Sequence, residues 1–194
     1  MNSSKAFLLF ALLACAAVPA FGNSEARPID LAHSTLTLYV YKTGLLSGFA
    51  HNHEISAPIE SGEVKESEGS AVELSIKSNK LRVLDPGDSD DTRAKIQMTM
   101  QGAEVLDAER FPEIHFQSTS VEPAGTDHWV VHGDLTLHGQ THPISFEVSL
   151  KDGLYQGTAL LKQSGFGITP IKIAGGTVKV KDEVKLVFSV ALMK

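Results

Sequence analysis

VVHGDLTLHGQTHPISFEVSL, residues 130–150, is the stretch from which the fold can be read. In its first half Val131, Gly133, Leu135 and Leu137 alternate with His132, Asp134, Thr136 and His138. In its second half Ile144, Phe146, Val148 and Leu150 alternate with Ser145, Glu147 and Ser149. A period of two places successive side chains on opposite faces of a pleated sheet, so each half reads as a half-buried strand. Between the halves, His138-Gly139-Gln140-Thr141 supplies a glycine for the reversal, and Pro143 reads as a strand start. The stretch is a long hairpin with one apolar face and one polar face.

Further strands flank it on both sides. Residues 34–41 alternate Leu36, Leu38 and Val40 with Thr35, Thr37 and Tyr39. A glycine-punctuated apolar loop follows at 43–49, and His51-Asn52-His53-Glu54-Ile55 opens a second strand. Residues 60–63 read as a turn, and 64–67 with 71–77 as a hairpin joined at Glu68-Gly69-Ser70. The pattern changes at the acidic run 85–91, which suits a helix N-terminus, and residues 92–101 read as the one helix, with Gly102 as its stop. Strands resume at 113–121, followed by a turn at Pro123–Gly125 and then the hairpin. Asp152-Gly153 is a strong tight-turn signal. Tyr155, Gly157, Ala159 and Leu161 mark the next strand, and Val184, Leu186, Phe188, Val190 and Leu192 the last.

The expectation is an all-β protein: an up-and-down antiparallel barrel of about eight strands with one helical insertion. Such sheets close to remove their edges. At about eight strands, the interior is either filled by side chains or holds one small ligand.

The chain has 194 residues, 42% apolar and 21% charged, which fits one domain. A formal charge of −6 argues against a nucleic-acid partner. Residues 1–20 read as a signal peptide, with Lys5, an apolar run and Val18-Pro19-Ala20 before the cut. The run is too short to cross a bilayer, so the expectation is a periplasmic or secreted protein with no transmembrane segment in its mature chain. The alternative is a lipoprotein signal with Cys15 as the lipidated residue. Cys15 is the one cysteine, so no disulfide is expected. Residues 21–28 read as a polar leader and 29–194 as the domain.

Four stretches together resemble the YceI-like family: RFPEIHFQS at 110–118, GDLTLHGQTHP at 133–143, GFGI at 165–168 and DEVKLVF at 182–188. Their order and spacing match across about residues 29–194. The resemblance implies an exported lipocalin-like barrel whose interior tunnel holds a polyisoprenoid or similar long-chain amphiphile. It implies no catalytic residues, so no enzyme activity and no cofactor are expected, and a bound isoprenoid lipid or quinone would be a ligand. The Ala50-His51-Asn52-His53 stretch and the acidic run 85–91 depart from the family's commonest pattern.

The candidate ligand-binding residues are the apolar strand faces: Leu36, Leu38, Phe116, Trp129, Leu135, Leu137, Phe146, Val148 and Phe188. On composition alone the same residues would fill a core. The alternative function is a zinc- or copper-binding periplasmic protein that uses His51 and His53, two apart on a strand and so on one side. It needs at least a third ligand, and His33, His115, His132 and His138 qualify if the fold brings them near. A structural barrel with a filled interior is the third reading. The acidic run lacks the closing glutamate of a calcium loop, and no G-x-S-x-G is present.

Overall fold

The structure is a computed structural model and describes residues 26–43, 52–66, 69–173 and 177–194. Residues 1–20, read above as a signal peptide, with Cys15, most of residues 21–28, residues 44–49 of the expected loop, His51 and Glu68 of the expected hairpin turn lie outside the described residues.

In chain order the strands are β1 (Arg27–Thr43), β2 (His53–Ser56), β3 (Ile59–Lys65), β4 (Ala71–Lys77) and β5 (Arg82–Val83). After the helix α1 (Asp90–Gln101) come β6 (Glu113–Gly125), β7 (His128–Leu137), β8 (Gln140–Lys151), β9 (Leu154–Lys162), β10 (Lys172–Ile173) and β11 (Val178–Leu192). Eight of them close a ring in the order β1, β11, β9, β8, β7, β6, β4, β3 and back to β1, with every pairing antiparallel. The protein is thus the closed up-and-down barrel that the alternation predicts, in the lipocalin-like form that the family resemblance implies. β2, β5 and β10 are short additions to it.

The hairpin at 130–150 has Leu137 opposite Gln140 and Val131 opposite Phe146. Its turn residues His138 and Gly139 have φ of 52° and 72°, and Asp152 and Gly153 have 53° and 78°. Both turns therefore take the positive-φ pair whose twist matches the strands they join.

Three local readings change. Residues 60–63 are not a turn but the middle of β3. Their glutamates and serine are exposed on the outer face, so the polar composition reports solvent rather than chain reversal. Gly62 is there for space: a Cβ would sit 2.7 Å from the Glu73 carbonyl and from Ile29 Cδ1. β6 runs through Pro123 to Gly125, and the reversal falls at Thr126-Asp127, with Asp127 at φ 55°. Pro143 stands inside β8, opposite Asp134. It is tolerated because the stretch of β8 that pairs with β9 begins at Glu147, so no β9 carbonyl waits for its missing N–H.

β1 bends to serve two neighbours. Its start pairs with β3 at Arg27 and Pro28, and its second half pairs with β2 from Thr37 to Val40. Between them Asp30 and Thr35 bracket a bulge opposite Ala191 and Ser189. Asp30 Oδ1 accepts from the amides of Ala32 (3.1 Å) and His33 (3.3 Å), which satisfies backbone donors that the ladder has lost.

The helix starts two residues before the expected point. Ser89 caps it through its Oγ, which accepts from the Thr92 amide, and Asp90 and Asp91 fill the first turn. Its inward side carries a glutamine rather than a purely apolar stripe. Gln97 Oε1 accepts from the Val83 amide and Gln97 Nε2 donates to the Leu81 carbonyl, both at 2.8 Å. The helix thus covers the outer edge of β5 and completes its hydrogen bonding. Two buried clusters form the inner wall: Leu36, Ile55, Ile76, Leu81, Met100 and Leu106 near the helix, and Phe116, Val131, Leu135, Val148 and Phe166 in the body.

Candidate functional site

Inward-facing side chains of all eight ring strands surround a cavity of about 270 Å³. Leu36, Leu38, Phe116, Trp129, Leu135, Leu137, Phe146, Val148 and Phe188 all line it. Apart from Lys65, Glu66, Ser70, Tyr155 and Gln163, the wall is aliphatic or aromatic. Across its middle, Phe146 packs against Phe116 and Phe188 with ring centroids 5.5 Å apart in both pairs. The Phe116 ring has room because β7 carries glycine beside it: a Cβ at Gly133 would come within 2.4 Å of Phe116 Cζ.

The two ends of the cavity differ. At the helix end Leu81, Met100 and Leu106 line it and are buried, so they roof it. They come from the β4–β5 connection, α1 and the segment after α1, none of which shows strand alternation. At the other end lie Glu66 just after β3, Ser70 and Ala71 at the start of β4, and Tyr155 at the start of β9. Glu66 and Ala71 line the cavity there and are exposed, which makes this end the mouth.

The mouth is organised around Glu66. Arg27 Nη1 donates to Glu66 Oε2 at 2.5 Å and the Tyr155 hydroxyl donates to Glu66 Oε1. Arg27 Nη2 also donates to the Met193 carbonyl at 2.8 Å, which ties the rim to the C-terminal strand. The hydrogen bond from Tyr155, ahead of the Arg27 guanidinium, holds the Glu66 carboxyl below the usual range. Burial, then Glu66, pushes the Tyr155 hydroxyl up to about 12. The Trp129 ring lies 5.8 Å from that of Tyr155.

The histidines are dispersed. His53 Nδ1 lies 2.7 Å from Asp85 Oδ2, while the same carboxylate accepts from the Glu54 amide through Oδ1, also at 2.7 Å. Asp85, read in the sequence as part of a helix start, is a buried clamp between β2 and the segment before α1. His33 meets Asp30, His115 meets Ser75, His132 meets Ser145, and His138 faces the Phe166 carbonyl. Among the described residues, no three His, Cys, Asp or Glu side chains gather as a metal site would need. His51 lies outside the described residues. No helix of the described residues is long and apolar enough to cross a membrane.

Comparison with known proteins follows the same lines. The YceI-like domain profile matches residues 28–192. A UPF0312 protein of Shewanella baltica is 26% identical over 147 residues, 71% of this chain and 69% of its own length. A UPF0312 protein of Pseudomonas putida W619 is 45% identical over 47 residues, so the match spans 24% of that relative's length. Among solved structures, BcnA of Burkholderia cenocepacia superposes with a TM-score of 0.67 at 21% identity, covering 86% of this chain and 99% of that one. A polyisoprenoid binding domain from Saccharophagus degradans superposes with a TM-score of 0.58 at 15% identity, covering 86% and 97%. These two share the fold. With the family profile matched along almost the whole described chain, the protein belongs to the YceI-like family.

Proposed function

We propose that the protein is an exported, non-enzymatic carrier that holds a polyisoprenoid or similar long-chain amphiphile inside its barrel. The observation that carries this reading is the cavity wall: apolar from the roof to the mouth, with polar lining side chains few and mostly at the rim. Water in such a space lacks the polar partners that hold it, whereas an apolar cavity of about 150 Å³ suffices for benzene. A tail entering it gains about 0.8 kcal/mol for each methylene removed from water, so affinity needs no charged contact deep inside. The likeness to a polyisoprenoid binding domain supports an isoprenoid tail, and the signal-like residues 1–20 support action in the periplasm or outside the cell.

Native mass spectrometry of the protein taken from its own cell envelope tests this. The expected result is an adduct of lipid mass, and a rise in melting temperature when prenols or quinones are added to stripped protein. A protein that always emerges without ligand, and whose melting temperature no prenol or quinone moves, would overturn the carrier reading.

A further inference from the structure

Charge is unevenly spread along the chain. Residues 153–194 carry six lysines against two acids, although the chain as a whole is −6. Four of these lysines meet on the outer wall of the barrel, where β10, β11 and β1 run side by side at the roofed end. Val184 and Leu186 line the cavity, so Lys185 between them points outward, with Leu160 of β9 and Tyr39 of β1 opposite it. On β1, Leu38 and Val40 line the cavity, so Tyr41 is outward too, and Lys181 Nζ lies 5.8 Å from its ring centre. Lys179 stands opposite Thr43 on one side and Lys172 on the other. Lys172, Lys179 and Lys181 are exposed, and Leu160 is 59% exposed.

Two features set this wall apart from ordinary solvated surface. Lys172 and Lys179 are a directly opposed like-charge pair, which weakens a ladder rather than supporting it. Among the described residues, Lys172, Lys179, Lys181 and Lys185 make no ion pair and no side-chain hydrogen bond. The nearby acids are engaged or peripheral. Asp182 accepts from the Ser164 amide and hydroxyl, Glu183 faces Lys162 in register, and Glu54 stands at the border opposite Tyr39.

We propose that this wall docks the protein on an anionic lipid surface, with the four lysines over the phosphates and Leu160 and Tyr41 at the headgroup boundary. Lysine stems lie along apolar surface while their ammonium groups reach outward, and leucine and aromatic rings favour that boundary. The convex wall suits a plane of charge. The patch lies at the end of the barrel opposite Glu66, so the docked protein keeps its mouth at the far end from the surface. Docking of this wall needs nothing from the cavity, so its failure would leave the carrier reading intact.

The barrel begins at Arg27, so the mature chain from residue 21 keeps all of it and is the form to test. Co-sedimentation with vesicles of mixed phosphatidylcholine and phosphatidylglycerol is expected at low salt, with release at high salt and no binding to phosphatidylcholine alone. Each lysine near an anionic leaflet multiplies partitioning about fivefold, so Lys179→Gln with Lys181→Gln should weaken it roughly 25-fold. The melting temperature of this double variant should match the parent. Lys95→Gln with Lys151→Gln, the same charge change elsewhere, should leave binding almost unchanged. Leu160→Asn should weaken vesicle binding severalfold and leave any binding of soluble polyphosphate as it was. Absence of binding to the mixed vesicles at low salt would overturn the assignment. Equal losses in the two double variants would overturn it as well, because net charge alone would then explain the binding. If polyphosphate binds as tightly as the vesicles and Leu160→Asn weakens neither, the wall takes soluble polyanions and the lipid surface is wrong.

Discussion

Tyr155 and Asp85 are polar residues whose surroundings decide what they do. Folding raises the Tyr155 hydroxyl to about 12, first by burial and then through Glu66. A group whose pKa rises on folding gives its full contribution below its unfolded value, near 10, and loses it as pH climbs toward the folded value. Stability is therefore expected to be flat up to about pH 10 with respect to this group and to fall between there and about 12. Ultraviolet titration of the three tyrosines should show one phenolate appearing late, and Glu66→Gln should bring it earlier. Simultaneous ionisation of all three would contradict the arrangement. Asp85 accepts from both His53 and the Glu54 amide while 5% exposed. Asp85→Ala strands those donors and is expected to cost about 1–3 kcal/mol in urea unfolding, with Asp85→Asn recovering part of it. Neither residue's role was legible in the sequence. Tyr155 reads as one more strand aromatic, and Asp85 as one more acid before a helix, because their partners Glu66 and His53 are distant along the chain.

Elements were legible where periodicity alone builds them. The hairpin of β7 and β8, the Asp152-Gly153 turn and the final strand β11 follow from alternation and turn chemistry within a few residues of each other. β3 was misread because its outward residues are acidic and its glycine serves the packing of Ile29, a contact made by the distant strand β1. The helix is instructive in another way. Its inward Gln97 would weaken a helix on an apolar core, yet here it meets the Val83 amide and the Leu81 carbonyl at the outer edge of β5. Gln97→Leu is expected to keep the helix and cost about 1–3 kcal/mol, because two backbone groups lose their partners. Hydrogen exchange at the Val83 amide should accelerate selectively, and an unchanged rate would show that the helix does not hold that edge.

At the scale of the whole molecule, one question separates a carrier from a structural barrel: whether the interior is space or packing. The nine lining residues named from the sequence all face the cavity because alternation fixes a face for every strand. The roof residues Leu81, Met100 and Leu106 escaped notice because they sit in segments without a two-residue period. Alternation likewise could not say whether the inward faces meet at the centre, which depends on how the closed ring sets its diameter. Leu137 provides the test. It lines the cavity, and it packs against both buried clusters, near the roofed end rather than the mouth. In Leu137→Trp the added ring goes into space, so the protein should stay folded with a melting temperature close to that of the parent. The cavity becomes shorter, so long prenols should be lost first while a short one entering at the mouth is retained. In a filled barrel the same ring has nowhere to go and should destabilise by about 1–3 kcal/mol. Melting temperature and bound prenol measured on this one variant therefore answer both halves. A stable variant that binds long and short prenols as the parent does would place the tail somewhere other than against β7.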